Sequence, residues 1–469
     1  MKKRWKRYGV LLFIIGIAVS LGFWNFDNRW VLNQDQGRDA IIALYALRNG
    51  KIPEIGSPSS AGPFNFGPWY HWIIMFWEKV IPTVGGPWIG FGIMSIIAVI
   101  FYYLTGGWIA GLIAAVAIGL VENSPDMLNT VIVGFSSAIA WWATKRTVDT
   151  DKWKWGILVG IGVGLSINFH FQSWGLMAIP LAIVLINKYH LKKRIKWGLS
   201  MLTGWIMTFL PIIIFDIQRK GIWIKSVIEY YTVGVNKFYV PVRWLTELRD
   251  FWPQLFGSVI IGWNNFGYIW VVLGMVAIFL VMKNKIKINR FWWIVGMVFI
   301  IQVLLMRNYK GVRSREYFIA FYGILILICS WIMTQWFKFN KYIGAIIFGI
   351  VLVLATMNDW KNINEHQSQT KVIKEIKNEL DLKISGPIVI EHYLESDMAS
   401  MPLFYLYYQV NGIGNDGTRV SICDGNKYKC PGEEVINRNN YKIYLNKNFK
   451  WYRLTPENIY ERLMVNYKK

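Results

Sequence analysis

Asp35, Arg38 and Asp39 stand at positions i, i+3 and i+4 in the run from Asn33 to Ala40, so a helix sets all three on one face. A carboxylate beside a guanidinium stays ionised and can accept a proton from a hydroxyl. A guanidinium, for its part, can hold a phosphate through two parallel hydrogen bonds. Together the two groups suit abstraction of a hydroxyl proton next to a phosphate. The competing reading is a solvated helix cap with a surface ion pair.

The elements that must position these residues are apolar. Of the 469 residues, 54% are hydrophobic and only 17% charged, which excludes a disordered chain and sits badly with a soluble enzyme. The runs 84–104, 106–121, 156–187 and 342–357 carry almost no charge. About 20 such residues cross roughly 30 Å of hydrocarbon, so these runs read as bilayer spans. The net charge of +23 does not indicate nucleic acid, because Lys and Arg gather in short blocks between the runs. The blocks are Lys2-Lys3-Arg4, Lys145-Arg146, Lys192-Lys193-Arg194 and Lys283 to Arg290, the pattern of cytoplasmic loops. The expected partners are membrane lipids and no nucleic acid.

With the N-terminus inside and the first apolar stretch retained, spans fall near 9–26, 84–104, 106–121, 127–144, 198–216, 254–282, 291–306, 317–337 and 342–357. The run 156–187, broken by Asn168, His170 and Gln172, divides into two short spans. The expectation is an α-helical polytopic membrane protein with about 11 transmembrane helices. Residues 1–357 form its membrane domain, with 27–83 as a long outer loop. From 358 to 469 the chain turns rich in Asn, Lys and Glu, with a helix at Lys371–Leu380 and a strand at Ile388–Ile390. That tail reads as a small extracytoplasmic α/β domain. Cys423 and Cys430 are neighbours in it, either as a disulfide or as two free thiols.

Within the outer loop, Pro53, Pro58, Pro63 and Pro68 forbid a continuing helix and impose an extended path. Trp69 to Trp77 then forms a second helix whose aromatic density suits the headgroup layer. Two interfacial helices therefore follow the first span, the first of them opening on Asp35.

These motifs resemble those of the C-type (GT-C) glycosyltransferase superfamily. The likeness is to its family 39-like branch of protein O-mannosyltransferases and lipid A aminoarabinose transferases. The residues that carry it are Asp35-Gln36-Gly37-Arg38-Asp39-Ala40, Gly67-Pro68-Trp69-Tyr70, Ser124-Pro125-Asp126, Gly162 to Gln172, and Leu210-Pro211 with Phe215-Asp216. Two departures stand out: Gln36 replaces the Glu that commonly follows the catalytic Asp, and Phe66-Gly67-Pro68 replaces a Lys-Pro-Pro element. The resemblance implies transfer of a sugar from a polyprenyl-phosphate donor to a lipid, glycan or protein acceptor outside the cytoplasm, with inversion and Asp35 as general base.

Further candidates fall around this core. Asp126, on a short outer turn, reads as a second carboxylate or a helix cap, and Asp39 completes the catalytic set. His71 and His170 map to the outer face as phosphate donors, metal ligands or structural caps. The loop holding Arg307, Tyr309, Lys310, Arg313 and Arg315 is strongly basic yet lies outside, against the usual bias, which suits an anionic lipid-phosphate headgroup. No spacing suggests a zinc site. A divalent cation, Mg²⁺ or Mn²⁺, shared by Asp35, Asp126 and the donor phosphate is compatible with these residues. The expected location is the cell (plasma or inner) membrane. The alternatives are a transporter or flippase for lipid-linked sugars, and a non-catalytic assembly or sensor protein. Charge-poor span centres weigh against the first, and the acidic motif against the second.

Overall fold

A computed structural model describes residues 2–59, 62–186, 190–232, 246–307, 315–365, 368–394, 398–438 and 441–463. The chain forms two compact units. One comprises Met1–Trp24, Phe91–Ser124 and Asn129–Glu365; the other comprises Asn25–Gly90, Pro125–Leu128 and His366–Lys469.

The first unit is helical and apolar. Among the described residues six helices have the length and composition of a membrane span: Gly86–Val116, Leu191–Gln218, Phe266–Lys283, Arg290–Arg307, Ile319–Phe339 and the helix beginning at Lys341. Three more, Arg7–Phe23, Lys154–Phe169 and Phe171–Ile186, are apolar but shorter. The chain is a polytopic helical membrane protein with a small sheet-bearing tail.

Helix breaks fall at residues whose backbone requires them. Gly107 (φ 77°) interrupts Gly86–Val116 near the junction of the spans expected at 84–104 and 106–121. His170, extended at φ −154° and ψ 129°, ends Lys154–Phe169 and divides the run 156–187. Gly262 (φ 86°) separates Trp252–Ile260 from Phe266–Lys283, where the sequence reads as one span over 254–282. The span expected at 127–144 lies instead at Ile132–Thr150. Its basic end carries a Lys145–Asp149 ion pair one turn apart, at 2.6 Å.

Small residues set how closely these helices approach. Gly156, Gly160 and Gly164 recur every fourth residue along one face of Lys154–Phe169. A Cβ at Gly160 would lie 1.9 Å from the Met201 carbonyl oxygen, and one at Gly204 would lie 2.0 Å from that of Ile157. The two backbones therefore touch, the arrangement by which helices associate where no hydrophobic effect drives them together. On another face Ser166 Oγ meets Ser136 Oγ of Ile132–Thr150 at 2.7 Å.

In the second unit the loop Asn25–Gly90 packs with the tail. Its five-stranded sheet has the order β3-β4-β2-β1-β5, where β1 is Ile388–His392, β2 Thr418–Asp424, β3 Ile436–Arg438, β4 Tyr441–Leu445 and β5 Tyr452–Arg453. β1 and β2 pair in parallel, and the other pairings are antiparallel. The tail helices are Gln369–Lys383, Met401–Gln409 and Pro456–Glu461. Met401–Gln409 lies so close to the loop helix Gln34–Arg48 that a Cβ at Gly37 would sit 2.8 Å from the Met401 carbonyl carbon. Arg48 donates to the Tyr408 and Gln409 carbonyls at 2.8 and 3.0 Å, and Asn65 donates to the Leu463 carbonyl at 3.0 Å. The helix Lys341–Glu365 runs through the expected boundary at 357/358, and the loop Asn25–Gly90 shares its unit with the tail from His366. Cys423 and Cys430 are joined by a disulfide.

Candidate active site

The helix Gln34–Arg48 starts where its sequence provides a capping box. The Asn33 side chain accepts from the Gln36 N–H at 2.9 Å, and the Gln36 side chain accepts from the Asn33 N–H at 3.1 Å. Gln36, the departure from the family pattern, is therefore part of the cap. Asp35 lies in the first turn, where negative charge is favoured by the helix dipole. The helix ends at Asn49 and Gly50 (φ 61°).

Asp35, Arg38 and Asp39 meet as their spacing predicts. Arg38 donates from Nε and Nη2 to the two Asp39 oxygens at 2.9 and 3.1 Å, and from Nη1 to Asp35 Oδ1 at 2.8 Å. The two carboxylates differ in access: the Asp35 side chain is 63% exposed and that of Asp39 only 6%. Burial alone would lower the Arg38 pKa and raise that of Asp39. Their mutual attraction outweighs it, holding Arg38 above its ordinary value and, with the His71 hydrogen bond, Asp39 down at about 2. The arrangement is a charged site with one open carboxylate.

His71 comes from the aromatic helix Trp69–Val80, whose inward face is Tyr70, His71, Ile74 and Glu78. Expected to face a phosphate, it is fully enclosed. Its Nε2 lies 3.4 Å from both Asp39 Oδ1 and Ser57 Oγ. The neighbouring Tyr70 hydroxyl donates to the Met127 carbonyl at 2.9 Å. That bond ties the Asp126 turn, Pro125–Leu128, into the same unit as Asp35. Further along the helix, burial raises the Glu78 pKa to about 7, against hydrogen bonds from Tyr405 (2.8 Å) and Gln409 (3.1 Å).

The remaining candidates belong to the other unit or lie outside the described residues. His170 occupies the break after Lys154–Phe169. Arg307 ends its helix. Arg315, expected at a phosphate, is bonded to Glu122, which also accepts from Asn362 at 2.7 Å. Tyr309, Lys310 and Arg313 lie outside the described residues.

Three contacts had no mark in the sequence: Ser57 on His71, Tyr70 on Met127, and Lys427, which donates to Gln34 beside Asp35 at 3.3 Å. Only Tyr70 sat in a quoted motif. Among the described residues no three His, Cys, Asp or Glu side chains gather as a metal site.

No known protein-family profile matches the chain, and no curated protein does. Solved structures do. ArnT from Cupriavidus metallidurans, a lipid A aminoarabinose transferase, superposes with a TM-score of 0.61 when bound to undecaprenyl phosphate and 0.63 in the apo state. In both cases identity is 10%, over 94% of this chain and 98% of that one. The Archaeoglobus fulgidus oligosaccharyltransferase, in complex with Zn and sulfate, gives 0.51 at 10% identity, over 88% of this chain and 68% of that one. Both neighbours are GT-C glycosyltransferases, and the fold of this chain is of the GT-C type.

Proposed function

We propose that this chain is a glycosyltransferase that moves a sugar from a polyprenyl-phosphate donor to an acceptor hydroxyl on the extracytoplasmic side of a cell (plasma or inner) membrane. The observation that carries the reading is the exposed Asp35 carboxylate bonded to an Arg38 whose guanidinium is already gripped by buried Asp39. The GT-C fold supports it, as does the undecaprenyl phosphate bound by ArnT.

In this reading Asp35 takes the proton from the acceptor hydroxyl. The freed oxygen attacks the anomeric carbon from the face opposite the phosphate, and the bond from that carbon to the phosphate oxygen breaks. One displacement inverts the anomeric configuration. The electron pair leaves on the polyprenyl phosphate, whose growing charge Arg38 meets with the two N–H groups, one on each terminal nitrogen, that Asp35 and Asp39 do not occupy. Alignment of the two reactants supplies much of the remaining acceleration. Asp126 is assigned to the acceptor. Arg307, Tyr309, Lys310, Arg313 and His170 stay with the carrier headgroup on charge and hydrogen-bonding grounds. Arg315, engaged by Glu122, acts at most through its neighbours. In this reading the N-terminus is cytoplasmic and the tail extracytoplasmic, as the basic blocks between the apolar runs suggest.

The test is transfer of labelled sugar from a panel of polyprenyl-phosphate donors by the purified chain, wild type beside Asp35→Asn. The expected result is transfer by wild type, and in the variant retained donor binding without transfer. Donor binding without transfer by either protein, with equal flipping in vesicles, would replace the reading by lipid-linked sugar transport.

A further inference from the structure

The reaction as drawn uses Asp35 and Arg38, and leaves two charged or titratable side chains without a task. Asp39 and His71 are 6% and 0% exposed, so neither can touch a donor or an acceptor. We propose that they are a buried positioning pair: His71 orients the Asp39 carboxylate, and Asp39 in turn fixes the rotation of the Arg38 guanidinium toward the leaving phosphate. The inference rests on the functional reading above.

The hydrogen-bond inventory sets the direction of each contact. An ionised carboxylate only accepts, so His71 Nε2, 3.4 Å from Asp39 Oδ1, carries the proton and donates it. Ser57 Oγ lies 3.4 Å from the same nitrogen. Ser57 is held by its own backbone, since its carbonyl accepts from the Phe66 N–H at 3.0 Å and Gly56 donates to the Phe66 carbonyl at 2.8 Å. His71 Nδ1 is buried with no partner among the described residues. A proton on Nδ1 would leave a buried donor unmet, which again favours the tautomer with the proton on Nε2.

The other end of the pair is a side-on fork. Asp39 occupies Nε–H and one Nη2–H of Arg38, and such two-point contacts remove the rotation that a single hydrogen bond allows. Asp35 alone, holding Nη1 through one bond and largely exposed, could not do this. The geometry thus divides the labour of two carboxylates four residues apart. The exposed one reacts, and the buried one holds the arginine.

The experiment measures binding of undecaprenyl phosphate, without a sugar, to the full chain in detergent. The proteins are wild type, Arg38→Ala, His71→Ala, His71→Gln, Asp39→Asn and the double variant Arg38→Ala/His71→Ala. His71→Ala is expected to weaken binding about 10-fold, the size seen when outer support of a ligand-binding group is lost. His71→Gln, which restores an N–H near the Nε2 position, recovers most of it, an outcome that mere packing around residue 71 would not produce. In the Arg38→Ala background the His71→Ala effect vanishes, because the pair acts only through Arg38. Should His71→Ala fail to fold, Asp39→Asn keeps the side-chain shape and is expected to show the same loss and the same non-additivity. Unchanged affinity in His71→Ala, or losses that multiply in the double variant, would overturn the pairing while leaving Arg38 as the phosphate ligand. Wild-type affinity in Arg38→Ala would overturn the functional reading and the pairing together.

Discussion

Two arginine–carboxylate clusters, one in each unit, show how differently the same chemistry can be used. Arg315 bonds Glu122, whose other oxygen takes the Asn362 amide. A second N–H of Arg315 reaches the Ser258 carbonyl at 3.4 Å, and its own carbonyl takes the Tyr322 hydroxyl at 3.0 Å. One cation faces one anion, and a carbonyl and an amide of the protein add further bonds. Arg38 faces two carboxylates, and one of them stands open to solvent. A balanced cluster with internal partners secures helices. An acidic surplus with an open oxygen leaves a carboxylate accessible to another molecule.

The sharpest way to break this contrast is at Asp35. Asp35→Asn should lower turnover by about 10²–10⁴-fold, the range for loss of a general base, with donor binding retained. Arg38→Ala should cost about 2–5 kcal/mol of donor binding, as removal of one member of a hydrogen-bonded charge pair does, and lysine should restore little because it lacks the fork. The transfer rate at saturating donor measures the first, and titration calorimetry with donor the second.

Glu78 extends the comparison to a carboxylate bonded to no cation. Burial raises its pKa from 4.5 to about 7, so the folded state holds its proton more tightly than the unfolded chain. Stability should fall as pH rises from 4.5 to 7, by at most about 3 kcal/mol, and Glu78→Gln should level that slope. Asp39 has the opposite sign. With its pKa lowered from 3.8 to about 2, its contribution is present above 3.8 and lost as pH falls toward 2. Melting curves of wild type, Glu78→Gln and Asp39→Asn against pH would separate the two slopes. The smallest effect belongs to the balanced cluster. Arg315→Ala should cost about 1 kcal/mol of stability and leave transfer per folded molecule unchanged. Lost donor binding at an unchanged melting temperature would erase the distinction between the clusters.

Much of the fold was legible because apolar runs and helix-breaking residues act locally. The division between the runs 84–104 and 106–121 and the break near His170 announced themselves. The shared face of Asp35, Arg38 and Asp39 was legible for the same reason, since i, i+3, i+4 spacing is a property of one helix. Which carboxylate would be open was not, because residues from elsewhere decide it: His71 closes over Asp39 from another helix, and Ser57 lies in the proline-rich loop. The union of loop and tail left no trace either. Arg48 and Asn65 bond to backbone carbonyls, which every residue carries, so no side-chain type marks the partner. Arg315 was read as a phosphate ligand because its pairing with Glu122, 193 residues away, has no local signature.

The close fit of Gly37 against Met401 and Pro402 has a consequence in time as well as in space. The ribosome makes the Asp35 helix early and its packing partner late: Arg48 waits for Tyr408, 360 residues downstream. At about 5–20 residues per second that is a delay of roughly 20–70 s, during which the first loop is already made but its seat does not yet exist. On the proposed reading, a chain truncated before Met401 would lack the seat of the Asp35 helix and should not transfer sugar.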